Sequence, residues 1–229
     1  MKYLISFLFL ALAFSMKSEA KVTLPSILGD NMVLQQQAEV KLWGKARPNA
    51  TVTVKTSWNG QTYKFSSDGK GGWSLTVSTP VAGGPYKIIF NDGELLTLQN
   101  VLIGEVWFCS GQSNMEMPMG CFDRQPVRGA NDIIAKAKPS TPIRMYTTDS
   151  KDGRWVRQFS KTPAEDCQGE WLENTPVNVS HISAVSYYFA RYIQEVLEVP
   201  VGIVVSTWGG SRIEAWMSRE SIKLSLIHI

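Results

Sequence analysis

The sequence predicts an α/β chain in two parts. Residues 21–100 read as a β-sandwich-like module, and residues 101–229 as a parallel-sheet domain. Three observations predict this. Turn signals cut residues 21–100 into short alternating runs. After residue 101 the runs become continuous and apolar, as strands buried on both faces are. Between two of them lies a stretch with helical spacing.

Residues 1–20 precede both parts. Met1-Lys2-Tyr3, the apolar run Leu4 to Phe14 and the end Ser18-Glu19-Ala20 have the layout of a secretory signal peptide. Cleavage is expected after Ala20. The run is too short to span a bilayer comfortably, and no later stretch is apolar enough to do so. The mature protein is expected to be secreted or periplasmic, with no membrane partner.

In the first module, Val40-Lys41-Leu42-Trp43-Gly44, Thr51-Val52-Thr53-Val54 and Trp73-Ser74-Leu75-Thr76-Val77 alternate as strands do, and Tyr86 to Phe90 forms another. Arg47-Pro48-Asn49, Asp68-Gly69 and Gly83-Gly84-Pro85 separate them. Asn59-Gly60 and Asp92-Gly93 suit tight hairpin turns.

In the second part, Val106 to Cys109 is a strand that stops at Ser110-Gly111. Residues 131–137 form a short helix ended by Pro139, and Ile143 to Tyr146 is a strand. Residues 149–170 form a long polar surface loop of the kind that often lines sites. Ser183 to Leu197 has helical spacing, with Ser180 or Ser183 as its cap. Val201 to Val205 then completes a strand–helix–strand unit, expected to be right-handed.

Bulk properties narrow the function. A net charge of +3 with scattered Lys and Arg gives no footprint for nucleic acid. Only His181 and His228 exist, so no Cys/His grouping has metal-site spacing and no cofactor is implied. Of three cysteines, Cys109 is expected to be a buried thiol. Cys121 and Cys167 are available to pair in an oxidising compartment. Eight tryptophans suit core packing and also favour a carbohydrate ligand.

The most informative segment is Gly104 to Pro118. It reads as a buried strand ending in a tight turn that presents Ser113 at the strand's carboxyl edge, where open α/β sheets place ligands. Spacing alone leaves two readings open, an activated serine and an ordinary strand-to-loop junction, because G-Q-S-N is not the G-x-S-x-G elbow.

The run GEVWFCSGQSNMEMPM resembles the nucleophile block of the sialate O-acetylesterase family, a branch of the SGNH (GDSL-like) hydrolases. Leu28 to Gln36 and Ser206 to Ser218 resemble two further blocks of that family, in the same order. The resemblance covers nearly the whole mature chain, but only the front part of a family member. It implies a flavodoxin-like parallel sheet for the second part. It implies Ser113 as nucleophile, with its own N–H and that of Gly210 in the oxyanion hole, and Gly209 as the alternative donor. Gln112, Asn114 and Gly209 are expected beside the substrate, an acetylated sugar such as sialic acid. Glu116 is expected in turn hydrogen bonding, and Glu214 and Trp216 in holding the site.

The family's D-x-x-H pair is absent from this sequence. His181 is expected to open the helix as a capping or packing residue. The tail Leu224 to Ile229 does not resemble the family. Cys167-Gln168-Gly169-Glu170 imitates the family's Q-G-E block, but it precedes the helix and reads as loop. The chain is therefore expected to be a C-terminally truncated esterase with little or no activity. A secreted carbohydrate-binding protein without catalysis is the alternative. A deacetylase or glycosidase is disfavoured, because no metal-ligand spacing or carboxylate pair stands out.

Overall fold

The computed structural model describes residues 22–151, 154–156 and 164–226. The expected leader, its cleavage point and His228 lie outside them. The chain forms β1 (Val33–Gln35), β2 (Glu39–Lys45), β3 (Thr51–Thr56), β4 (Thr62–Ser66), β5 (Gly72–Ser78), β6 (Gly83–Asn91) and β7 (Leu95–Gly111). The short helices α1 (Ser113–Glu116) and α2 (Ala130–Lys136) follow, then β8 (Ile143–Thr147), β9 (Ser150–Lys151), β10 (Arg154–Trp155) and β11 (Trp171–Glu173). Helices α3 (Pro176–His181) and α4 (Ala184–Leu197), β12 (Val201–Thr207) and α5 (Arg219–Leu226) complete it.

One mixed sheet runs β11-β8-β12-β7-β6-β3-β4, with β1 beside β7. Strand β7 is its spine. Its first part pairs antiparallel with β6, and its second part, Glu105 to Gly111, pairs parallel with β12. The expected module boundary near residue 100 thus falls within one continuous strand. Strands β2 and β5 form a separate antiparallel pair.

The alternating runs are strands because alternate residues reach a core. Leu42, Val52, Val54, Trp73, Ile88 and Phe90 are buried together. Strand β12 is apolar from Val201 to Val205 because both its faces are covered there. Val204 joins the first core with Tyr146 and Trp171, whereas Val201, Ile203 and Val205 join a second core with Tyr187 and Ala190 of α4.

The block Leu28 to Gln36 is a clip on β7. Asp30 accepts the Gln99 N–H at 2.7 Å, and Asn31 accepts from the Asn100 carboxamide at 2.7 Å. Where β1 stops, the Gln35 carboxamide oxygen accepts the Val106 N–H at 2.9 Å. Beyond that point β7 pairs only with β12 among the described residues. Phe108 there is 67% exposed, and Trp107, edge-on to Phe189 at 5.0 Å, is 42% exposed.

Four expectations are corrected. His181 ends α3 instead of opening a helix; Ser183 caps α4, its Oγ accepting the Ser186 N–H at 3.2 Å. Cys121 and Cys167 are both free: Cys121 is exposed, while the Cys167 thiol is engaged with the Tyr146 hydroxyl at 3.3 Å. Cys109 is half-buried, and burial pushes its thiol above the ordinary value, partly offset by Ser186. The expected loop of residues 149–170 contains the β9–β10 pair, and its residues 165 and 166 turn onto the first module. Asp166 there accepts from the Ser26 hydroxyl at 2.8 Å, and Glu165 pairs with Lys45 at 2.8 Å.

Candidate active site

Parallel pairing places the carboxyl ends of β7 and β12 side by side. Gly111 is the register partner of Thr207, and the Trp208 N–H donates to the Gly111 carbonyl at 3.1 Å. Both chains therefore leave the sheet at one level, at the edge where open α/β sheets bind ligands. One exit becomes the turn into α1, which starts at Ser113. The other becomes the Trp208–Ser211 turn, closed by the Ser211 N–H on the Trp208 carbonyl at 3.3 Å.

The two turns touch. The Gln112 carboxamide donates to the Ser211 carbonyl, and the Gly209 N–H donates to the Glu116 carboxylate. A Cβ on Gly209 would sit 3.3 Å from Glu116 Oε2 and 3.7 Å from Ser113 Cα. Gly210 has φ +75°, a conformation that favours glycine, and faces open space. Ser113 and Asn114 are exposed and Glu116 is half-buried.

The serine turn is also held from behind. The Met117 carbonyl accepts the Ala184 N–H at 2.7 Å, and the Met119 N–H donates to the Ile182 carbonyl at 2.9 Å. The Ser186 hydroxyl donates to the Met115 sulfur at 3.2 Å. On the far side, the Trp216 indole N–H donates to Ser211 Oγ at 2.9 Å. Glu214 is exposed in the 3-10 turn Ile213–Trp216.

The structure thus brings together Gln112, Ser113, Gly209 and Gly210, with Asn114 exposed in the same turn. Among the described residues, no hydrogen bond joins Ser113 to a histidine or carboxylate, and no group of three His, Cys, Asp or Glu side chains could hold a metal. His181 is exposed. Gln168-Gly169-Glu170 precedes β11, where the Gln168 carbonyl accepts the Asp149 N–H at 2.8 Å. Sequence reasoning missed the specific partner of Glu116. Its S-x-x-E spacing suggests a capping box, yet the carboxylate reaches across to another turn.

The fold is an α/β mixed sheet of the carbohydrate-esterase type. A solved carbohydrate acetylesterase from Xanthomonas citri shares it at a TM-score of 0.77 and 35% identity, over 88% of this chain and 44% of that one. The human sialate O-acetylesterase is 30% identical over 216 residues, 86% of this chain. The mouse protein is 29% identical over 213 residues. No family model matches the chain. At the level of relatives, the chain matches the family of sialate O-acetylesterases and carbohydrate acetylesterases. It spans 39% of the length of the human protein.

Proposed function

We propose that this chain carries the nucleophile and part of the oxyanion hole of a serine esterase that removes O-acetyl groups from sialic acid or another acetylated carbohydrate. One observation carries the reading. Ser113 and the glycine turn at 209–210, distant in sequence, meet at the carboxyl edge of the sheet. In the proposed reaction the Ser113 oxygen attacks the acetyl carbonyl, and backbone N–H groups of Ser113 and Gly210 stabilise the tetrahedral oxyanion. The sugar hydroxyl leaves, and water releases acetate from the acetyl-serine. Gln112, Asn114 and Gly209 border the sugar. Relatives that act on acetylated sugars support the substrate class.

Ser113 needs a base, and no hydrogen bond to one supports it among the described residues. We therefore propose slow turnover for this chain alone, because loss of the base in a comparable triad removes about four orders of magnitude or more of kcat. We also propose export after cleavage at Ala20, and a first module of residues 21–100 that braces the hydrolase part.

The test is hydrolysis of an activated ester, 4-nitrophenyl acetate, whose good leaving group demands least from a base. Ser113→Ala is expected to reduce the rate to the uncatalysed background. A variant as active as the wild type would remove Ser113 from the reaction.

A further inference from the structure

Within that reading, we propose that Glu116 is a positioning residue that decides which amide of the glycine turn serves the oxyanion. The Gly209 N–H is the nearer candidate by sequence, since it follows Trp208 directly. It is not directed at a ligand, because it donates to the Glu116 carboxylate. A backbone N–H has one proton to give. While Glu116 holds it, Gly209 is spent as a fastener, and the next amide, on Gly210, is the one left to turn toward substrate.

Geometry supports the assignment. Glu116 is carried by the helical turn that Ser113 begins, so one rigid piece holds both the nucleophile and the fastener. That turn is closed by the Glu116 N–H on the Gln112 carbonyl at 2.9 Å and the Met117 N–H on the Ser113 carbonyl at 3.1 Å. Gln112, one residue before Ser113, holds the far end of the glycine turn at the Ser211 carbonyl. The glycine turn is thus gripped at both ends by neighbours of the serine, with Gly210 between the grips. Its φ of +75° turns the backbone there, and open space faces its Cβ position. A side chain on Gly209 would crowd the carboxylate at 3.3 Å, which accounts for glycine at a position whose own φ does not require it.

A carboxylate suits this task. A charge-assisted hydrogen bond to a backbone N–H is roughly twice as strong as a neutral one. Removing one oxyanion-hole donor lowers kcat by about 100- to 1000-fold.

The test compares the full chain with Glu116→Ala, Glu116→Gln and Ser113→Ala. Two readouts are taken at matched thermal stability: hydrogen exchange of the Gly209 and Gly210 amides by NMR, and the rate at which a fluorophosphonate labels Ser113. In labelling, Ser113 Oγ bonds to phosphorus, fluoride leaves, and the hydroxyl proton passes to water. In the wild type, Gly209 is expected to exchange slowly and Gly210 quickly. Glu116→Ala is expected to speed Gly209 exchange at least tenfold and to slow labelling at least tenfold. Glu116→Gln keeps an acceptor oxygen and is expected to restore most of both. Unchanged Gly209 exchange in Glu116→Ala overturns the proposal, as does a labelling rate equal to that of the wild type. Absent labelling in the wild type, or equal labelling of Ser113→Ala, defeats the nucleophile reading instead, and Gly209 exchange still judges the Glu116 contact.

Discussion

The two ends of β7 make the comparison that explains this chain. Over Leu98 to Ile103 it pairs with β6, joined by β1 from Leu102, and Val101 and Ile103 are fully buried. Over Glu105 to Gly111 it is a strand with one partner among the described residues, and Phe108 stands 67% exposed. The same asymmetry continues onto α4. Its inner face buries Ala184, Tyr187 and Ala190, while Val185, Tyr192 and Val196 at 50%, 65% and 59% exposure form an outer apolar stripe. Apolar residues are therefore of two kinds here, those that hold the fold and those that no described residue covers.

The largest difference should appear on truncation along β7. Ile103→Ala is expected to lower stability by about 2–5 kcal/mol, since it removes a buried side chain. Phe108→Ala, a larger truncation, should change it by no more than about 0.5 kcal/mol. Urea unfolding of both variants measures this, and equal losses would break the comparison.

A smaller effect is expected where the N-terminal clip meets β8. The Arg144 guanidinium is buried, and desolvation lowers its pKa, partly offset by Glu173. It pairs with Glu173 at 3.3 Å, and Glu173 also accepts from Asn100 at 3.1 Å. Glu173→Ala leaves the guanidinium without that partner. A loss of about 2 kcal/mol is expected, below that of a fully buried pair because Glu173 is 37% exposed. Thermal unfolding should show it, with Glu173→Gln recovering a part.

The smallest effect is a pH dependence confined to the first module. The backbone N–H groups of Lys70 and Gly72 hold the Asp68 carboxyl below its ordinary value of 3.8. A lowered folded-state pKa gives stability that is complete above the unfolded value and fades as pH falls from there through the folded value. Asp68→Ala should therefore lower the melting temperature at pH 7, with the difference shrinking below about pH 4. A difference that grew toward acid would contradict this.

Much of the architecture was legible. Alternation marked β2, β3 and β5, and helical spacing marked α4 to within a residue, because each records contact with a core. The continuous run at β12 was legible because both its faces are buried. The first part of β7 was not, since Leu95-Leu96-Thr97-Leu98-Gln99-Asn100 lacks clean alternation and Asn100 has φ +54°. That strand is defined by pairing with β6 and by the clip from Asp30 and Asn31, which are contacts between distant residues.

At the candidate site, the turns that carry Ser113 and Gly210 were legible from their glycines. The Glu116–Gly209 bond was not, because its partners lie 93 residues apart and meet only when β7 and β12 pair. Likewise the exposure of Trp107 and Phe108 could not be read from Val106 to Cys109, because an apolar strand looks the same covered or uncovered.

The most direct measurement is to mix the chain with 4-nitrophenyl acetate, quench with acid and map the acetyl group by peptide mass spectrometry. The account predicts one acetyl group, on Ser113. Acetylation of Ser110 or scattered lysines, with Ser113 unmodified, would contradict it.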